Sequence, residues 1–264
     1  MHIEHISSAK NPRIREISEL LKSSRTRREM GIFVTEGRKE LKLCLKGGFE
    51  IESLFINQKI ADPLEFREIK CRSLFSITPE LYSKIAYREG TEGVVATVKS
   101  RNLETGDIRL SDSPLIIVLE SVEKPGNLGA VIRTAEASGV DAVIVCDPLT
   151  DLYNPNIIRS STGAIFTTQC IAISSEECYK WLREKKIDIL TTELEANHWH
   201  YNCDMTGPCA IVLGSESDGL SVFWREKADK RLKIPMKGSV DSLNVSVSAA
   251  IICFEAIRQR AVKQ

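Results

Sequence analysis

Neither sign of charge prevails in this chain. Lys+Arg and Asp+Glu each number 36 in 264 residues, a formal net charge of zero. Net charge therefore neither supports nor excludes a nucleic-acid partner; only the distribution of charge can do so. No run of ~18 apolar residues occurs, so no membrane span is expected. Met1-His2-Ile3-Glu4-His5 lacks the basic, then apolar, then small-residue order of a secretory leader. No Cys-x-x-Cys pair exists among the eight cysteines, and Cys44, Cys146 and Cys253 fall inside apolar runs. They read as buried, reduced thiols of a cytoplasmic protein. "NHWHYNC" places His198, His200 and Cys203 close together, but their spacing matches no familiar zinc pattern and no metal is expected. The phosphate-binding fingerprints G-x-G-x-x-G and G-x-x-x-x-G-K-[ST] are both absent. There is no internal repeat and no low-complexity tract.

The apolar fraction, 42%, is enough for a full core. "NPRIREISELL" opens with Asn11 as a candidate N-cap and Pro12 at the first helical position; Ile14, Ile17, Leu20 and Leu21 then share one face. "GIFVTE", "IESLFIN", "RSLFSIT" and "GVVATVKS" read as strands, "EGRKELKLCLKGG" and "TPELYSKIAYREG" as helices. This alternation predicts a small α/β domain over residues 1–100. The polar "RNLETGDIRLSDSP" reads as a linker at 101–112, and alternation restarts over 113–264. There "PLIIVLE" and "DAVIVC" have the length of buried strands, flanking a helix at "NLGAVIRTAEASG". "AIFTTQCIAI" supplies strand material, and "IDILTTEL", "CAIVL" and "KADKRLKIPM" supply further strands. The expectation is an α/β domain with a parallel sheet covered on both faces.

Ligands of open parallel sheets bind beyond the carboxyl ends of the strands. Three segments occupy such positions, "ESVEKPGNLG", "LGSESDGLS" and "IPMKGSVDSLN", each with glycine and small polar residues after an apolar strand. Glu216 and Asp218 would repel a phosphate. A cofactor without phosphates fits better, and S-adenosylmethionine is one: an adenosine, a sulfonium cation and an amino acid. "SLNVSVSAA" alternates like a strand but runs into "IICFEAIRQR", a helix. Read as a helix throughout, Leu243, Val247, Ala250, Ile251, Phe254 and Ile257 form one apolar face, and Val245, Ala249, Ile252 and Ala256 a second. The helix is then buried on most sides, with Ser242 or Asn244 as its cap.

"NLGAVIRTAEASG", "IVLGSESDGLS" and "IPMKGSVDSLNVSVSAA" resemble the three ordered motifs of the SpoU-type (TrmH-like) RNA ribose methyltransferases of the SPOUT superfamily. "SSAKNPRIREI" and "FVTEGRKEL" resemble the small RNA-binding domain that often precedes it. Ser217-Asp218 departs from the family pattern between the retained Glu216 and Gly219. The resemblance implies a C-terminal parallel-sheet SPOUT domain with a deep trefoil knot, preceded by a small α/β RNA-binding domain. It implies S-adenosylmethionine as cofactor, touched by Gly214, Ile234 and Leu243, with Leu213, Met236 and Ser242 as neighbours. It implies a homodimer through the knotted domain and transfer of a methyl group to a ribose 2′-hydroxyl of RNA; the family acts on ribosomal and on transfer RNA, and the extra N-terminal domain favours ribosomal RNA. Arg133 matches the catalytic arginine, with Asn127, Glu216 and Asn244 as its companions. Arg133 stays protonated, so its expected role is to clamp phosphate and stabilise the developing alkoxide. Lys10, Arg13, Arg25, Arg27, Arg28 and Arg38 are the expected RNA contacts, although such a charge run is commonly a solvated face. A Rossmann-like nucleotide-binding hydrolase and a catalytically weak RNA-binding or ribosome-assembly protein are the alternatives.

Overall fold

A computed structural model of the chain describes residues 3–86 and 92–263. Two compact units divide it: Met1–Arg101 with Tyr153–Thr167, and Asn102–Leu152 with Thr168–Gln264.

The first unit carries strands β1 (Ile3–Ile6), β2 (Ile32–Glu36), β3 (Ile51–Asn57), β4 (Cys71–Ile77) and β5 (Val94–Lys99). Its helices are α1 (Pro12–Lys22), α2 (Ser24–Met30), α3 (Arg38–Lys46) and α4 (Pro79–Ile85). The expected continuation of α4 through Tyr87–Gly90 lies outside the described residues. The sheet runs β1-β4-β3-β5-β2. β1 and β3 are parallel to β4, and β5 is antiparallel to both β3 and β2. α1 begins as its sequence predicts: Asn11 Oδ1 accepts from the Arg13 amide at 2.9 Å, and Pro12 follows where no intrahelical N–H is needed. Ile14, Ile17 and Leu20 are at most 2% exposed and pack with Phe55 and Phe75. Each such side chain contributes roughly 1.5–3 kcal/mol relative to exposure.

The second unit carries β6 (Leu115–Glu120), α5 (Pro125–Ser138) and β7 (Ala142–Cys146). The short helix α6 (Pro155–Ser160) belongs to the first unit. Then follow β8 (Cys170–Ile173), α7 (Ser175–Glu184), β9 (Asp188–Thr192), β10 (His198–Trp199), β11 (Cys209–Leu213), α8 (Val222–Lys227), β12 (Lys230–Lys233) and α9 (Val245–Lys263). The sheet is parallel throughout, in the order β10-β12-β9-β11-β6-β7-β8. Ile116, Val118, Ile144, Ala210 and Val212 face Leu182 and Trp224, from α7 and α8. α5 and α9 pack on each other, and they meet β7 and β11 respectively. Burial on both faces accounts for the uninterrupted apolar runs of β6, β7 and β11.

Residues 153–167 lie within the stretch 113–264 by sequence, but by packing they sort with the first unit. Tyr153 stacks on Phe33 at 4.4 Å between ring centroids, and Phe166 lies 5.7 Å from the same ring. The strand expected through "AIFTTQCIAI" therefore begins only at Cys170; Ala164–Phe166 form a 3₁₀ turn. Helix α9 also differs from expectation. Val245, Ala249, Ile252, Cys253 and Ala256 are buried, but Val247 and Phe254 are about half exposed, at 45% and 50%. One side of α9 is covered within the unit and the other is left open. Near its end, the Arg260 guanidinium donates to the carbonyls of Ser113, Met205 and Gly207 at 2.6–3.0 Å.

Candidate active site

Because β6, β11 and β12 run parallel, the segments after them, 121–124, 214–221 and 234–244, gather at one edge of the sheet. β9 lies between β11 and β12, which brings residues 193–197 to the same edge. Sequence reasoning did not select that segment, since strand order is not written in any one strand. At the start of α5, Lys124 is the N-cap residue and Pro125 the first helical residue. At the start of α9, Asn244 Oδ1 accepts from the Ser246 amide at 2.9 Å and the Ser246 hydroxyl at 2.6 Å. The alternating residues before it thus lead into a capped helix, and Asn244 rather than Ser242 is the cap.

The 214–219 loop folds back on itself. Ser215 bridges Gly219, which has φ 66°. A Cβ on Gly214 would lie 2.1 Å from the carbonyl carbon of Gly219. Ser217-Asp218, the departure from the family pattern, is held locally: the Ser217 hydroxyl donates to Asp218 Oδ2 at 2.5 Å, and the Asp218 amide donates to Ser215 Oγ at 3.1 Å. This turn projects Glu216 toward the starts of α5 and α9.

Four side chains meet there. Asn244 Nδ2 donates to Asn127 Oδ1 at 3.1 Å and to Glu216 Oε1. Lys124 Nζ lies 2.9 Å from Glu216 Oε2. The Asn127 side chain and the Val245 amide also favour the charged form of Glu216. Its carboxyl is held below the usual glutamate range, first by the Lys124 hydrogen bond, against the opposing effect of burial. The Lys124 ammonium is raised in turn by Glu216. Asn244 has two N–H donors and an oxygen with two lone pairs, and all four are used. Its amide is therefore locked in one orientation.

Asn127, Glu216 and Asn244 are thus brought together, and Lys124, which sequence reasoning missed, joins them. Its signal was faint: "EKPGN" reads as loop, and the partner is 92 residues away. Arg133 is six residues beyond Asn127 on α5, about 9 Å along the axis. It is exposed, and its side chain makes no hydrogen bond or ion pair among the described residues.

Of the cofactor candidates, Leu213 is 1% exposed, so its side chain belongs to the core and only its backbone faces the edge. Gly214, Ile234, Met236 and Leu243 are half-buried; Ser242 is exposed and donates to Asp241 at 3.2 Å. Half-buried apolar groups beside Glu216 and Asp218 suit an adenosine carrying a sulfonium better than a nucleotide phosphate. Among the described residues no cluster of His, Cys, Asp and Glu could hold a metal ion.

Of the expected RNA contacts, Lys10, Arg25, Arg28 and Arg38 are exposed and Arg13 is half-buried. Arg25 pairs with Glu29 at 2.7 Å and Arg38 with Glu65 at 2.6 Å. Arg27 departs from expectation. It is 3% exposed, and its guanidinium donates to the Leu20 carbonyl. A guanidinium committed to a buried carbonyl cannot reach an RNA phosphate.

Fold and edge together define a two-unit α/β protein whose parallel sheet collects a polar cluster beyond its strand ends. The SpoU rRNA Methylase family model matches residues 114–254, and an MRM3-like substrate binding domain model matches residues 11–96. The 23S rRNA (guanosine-2′-O-)-methyltransferase RlmB of Vibrio parahaemolyticus is 38% identical over 194 residues, covering 71% of this chain and 78% of that protein. The SpoU methyltransferase AviRb from Streptomyces viridochromogenes, solved with AdoMet, superposes with TM-score 0.89 at 28% identity, over 96% of this chain and 99% of that one. An AdoMet-bound rRNA methyltransferase from Sinorhizobium meliloti gives TM-score 0.88 at 26% identity, over 97% and 98%. The chain belongs to the SpoU rRNA methylase family.

Proposed function

We propose that this chain transfers a methyl group from S-adenosylmethionine to a ribose 2′-hydroxyl of ribosomal RNA. The observation that carries the reading is the hydrogen-bonded cluster of Asn127, Glu216 and Asn244 at the edge where the three motif loops gather. Gly214, Ile234, Met236 and Leu243, with the backbone of Leu213 and exposed Ser242, would hold the cofactor. When bound, S-adenosylmethionine supplies a methyl carbon made electrophilic by positive sulfur. Asn127 Oδ1 accepts from Asn244, which leaves its side-chain N–H groups to orient the ribose. Exposed, unpaired Arg133 is suited to clamp the neighbouring phosphate and to stabilise the oxygen as its proton leaves. A guanidinium holds its own protons, so the proton passes to another acceptor.

Lys10, Arg13, Arg25, Arg28 and Arg38 supply the RNA-facing charge of this reading. Its trefoil knot rests on the resemblance of the three motifs to the SPOUT superfamily. Its cytoplasmic location is supported by eight free cysteines, seven of them buried. Burial pushes the Cys44 and Cys253 thiols up to about 12. No helix among the described residues is long and apolar enough to cross a membrane.

The test is mapping of 2′-O-methylation across ribosomal RNA from cells with and without the gene. One ribose should lose its methyl group in the deletion and regain it on complementation. Unchanged ribosomal RNA would overturn the substrate assignment.

The homodimer of this reading would cover the open side of α9, where Phe254 and Val247 stand exposed beside half-buried Ala250 and Ile251. Sedimentation at micromolar concentration should give about twice 29.5 kDa. Phe254→Glu places a charge in that contact and should yield a folded monomer. A wild-type monomer at high concentration would remove the dimer.

A further inference from the structure

We propose that Lys124 is a positioning residue of the methyl-transfer site: its ammonium, 2.9 Å from Glu216, holds the carboxylate on which the amides of Asn127 and Asn244 are oriented. The inference rests on the functional reading above.

Glu216 accepts from Lys124 on one oxygen and from Asn244 on the other, and the Asn127 side chain and the Val245 amide also favour its charged form. An ionised carboxylate accepts these donors on both oxygens. Protonation turns one oxygen into a donor facing N–H groups that can only donate, and the Asn244 amide, which in turn bonds Asn127, would lose its anchor. The site is built on an ionised Glu216, and the groups around it show which charge favours that form. The first turns of α9, residues 245–254, contain no charged side chain. Within the 214–219 loop Asp218 is turned to Ser217 and Ser215, and in the 234–244 segment Asp241 accepts from Ser242. At the start of α5, Lys124 is the cation in contact, with Glu123 acting on it from the next position. Arg133 makes no ion pair among the described residues, so it does not share this task.

The sign follows from the lowered Glu216 carboxyl. The ionised network is complete above the ordinary glutamate range and is lost as pH falls through the lowered value. Without the Lys124 cation the largest effect favouring the ionised form is gone, the effect of burial is less fully offset, and the loss moves to higher pH.

The test compares Lys124→Met, which keeps length without charge, and Lys124→Arg with wild type. First, glutamate labelled with ¹³C at its carboxyl carbon reports the titration of Glu216, with Glu216→Gln assigning the signal. The midpoint should shift upward in Lys124→Met and return toward wild type in Lys124→Arg. Second, single-turnover methyl transfer to undermethylated ribosomal RNA from the deletion strain is followed against pH. The acid limb of the Lys124→Met profile should shift the same way, with its rate deficit shrinking as pH rises. Identical Glu216 midpoints in wild type and Lys124→Met would overturn the proposal, as would a Lys124→Met deficit constant across pH. If wild type methylates no ribosomal RNA, the functional reading fails, while the carboxyl titration still decides the role of Lys124.

Discussion

Arg133→Ala should slow single-turnover methyl transfer by about 10²–10³-fold, corresponding to ~3–4 kcal/mol of lost transition-state stabilisation. Arg133 is exposed and unpaired among the described residues, so removing it breaks no interaction that holds the fold. It also stands about 9 Å along α5 from Asn127 and outside the two segments proposed to hold the cofactor. S-adenosylmethionine affinity, measured by calorimetry, should therefore remain near wild type. A different arginine set provides the contrast. Replacing exposed Arg25 and Arg28 together should weaken RNA binding and flatten its salt dependence, by roughly one unit of slope for each phosphate no longer neutralised. Turnover at saturating RNA should largely recover. Arg27 is left out because its guanidinium bonds the Leu20 carbonyl inside the first unit. A near-normal single-turnover rate for Arg133→Ala, with folding confirmed by circular dichroism, would remove this arginine from the mechanism.

Gly214→Ala should be the most damaging single-methyl change at the site. The added carbon would sit 2.1 Å from the carbonyl carbon of Gly219 and 2.4 Å from the Leu220 nitrogen. Those are backbone atoms, so no rotamer change relieves the clash; the 214–219 loop itself must open. Overpacking of this kind costs typically 1–3 kcal/mol. Here the cost falls on the loop that carries Glu216, so Asn244 loses its carboxylate acceptor at the same time. Calorimetry should show S-adenosylmethionine binding weakened by at least about tenfold, as ~1.4 kcal/mol implies, and methyl transfer reduced further. The core of the sheet lies elsewhere, so the thermal transition should remain cooperative. Unchanged cofactor affinity in Gly214→Ala would remove this loop from the cofactor site.

Several features were open to reading in one dimension because their causes are local. Asn11 and Pro12 start α1 through their own cap and fixed φ, and Ile14, Ile17 and Leu20 mark its buried face by spacing alone. The apolar runs of β6, β7 and β11 state that both sheet faces are covered. The order of the three glycine-polar motifs carried the family, later matched over residues 114–254.

Other features arise only when distant segments meet. β6, β7, β9 and β11 are interchangeable as apolar strands, so no residue states that β9 lies between β11 and β12. That order alone brings residues 193–197 to the site edge. Arg25, Arg27 and Arg28 are equivalent in sequence, but helical geometry turns one of them inward to the Leu20 carbonyl. Val245 and Val247 look alike, yet one is buried and the other half exposed, because the unit covers α9 from one side. Lys124 and Glu216 form an ion pair only because parallel strands deliver both chain ends to the same edge. Propensity and periodicity act within a few residues, so the sequence alone determined elements, caps and motif order. Strand neighbours and side-chain partners are selected by the whole packed sheet, so the geometry of the site belongs to the tertiary structure.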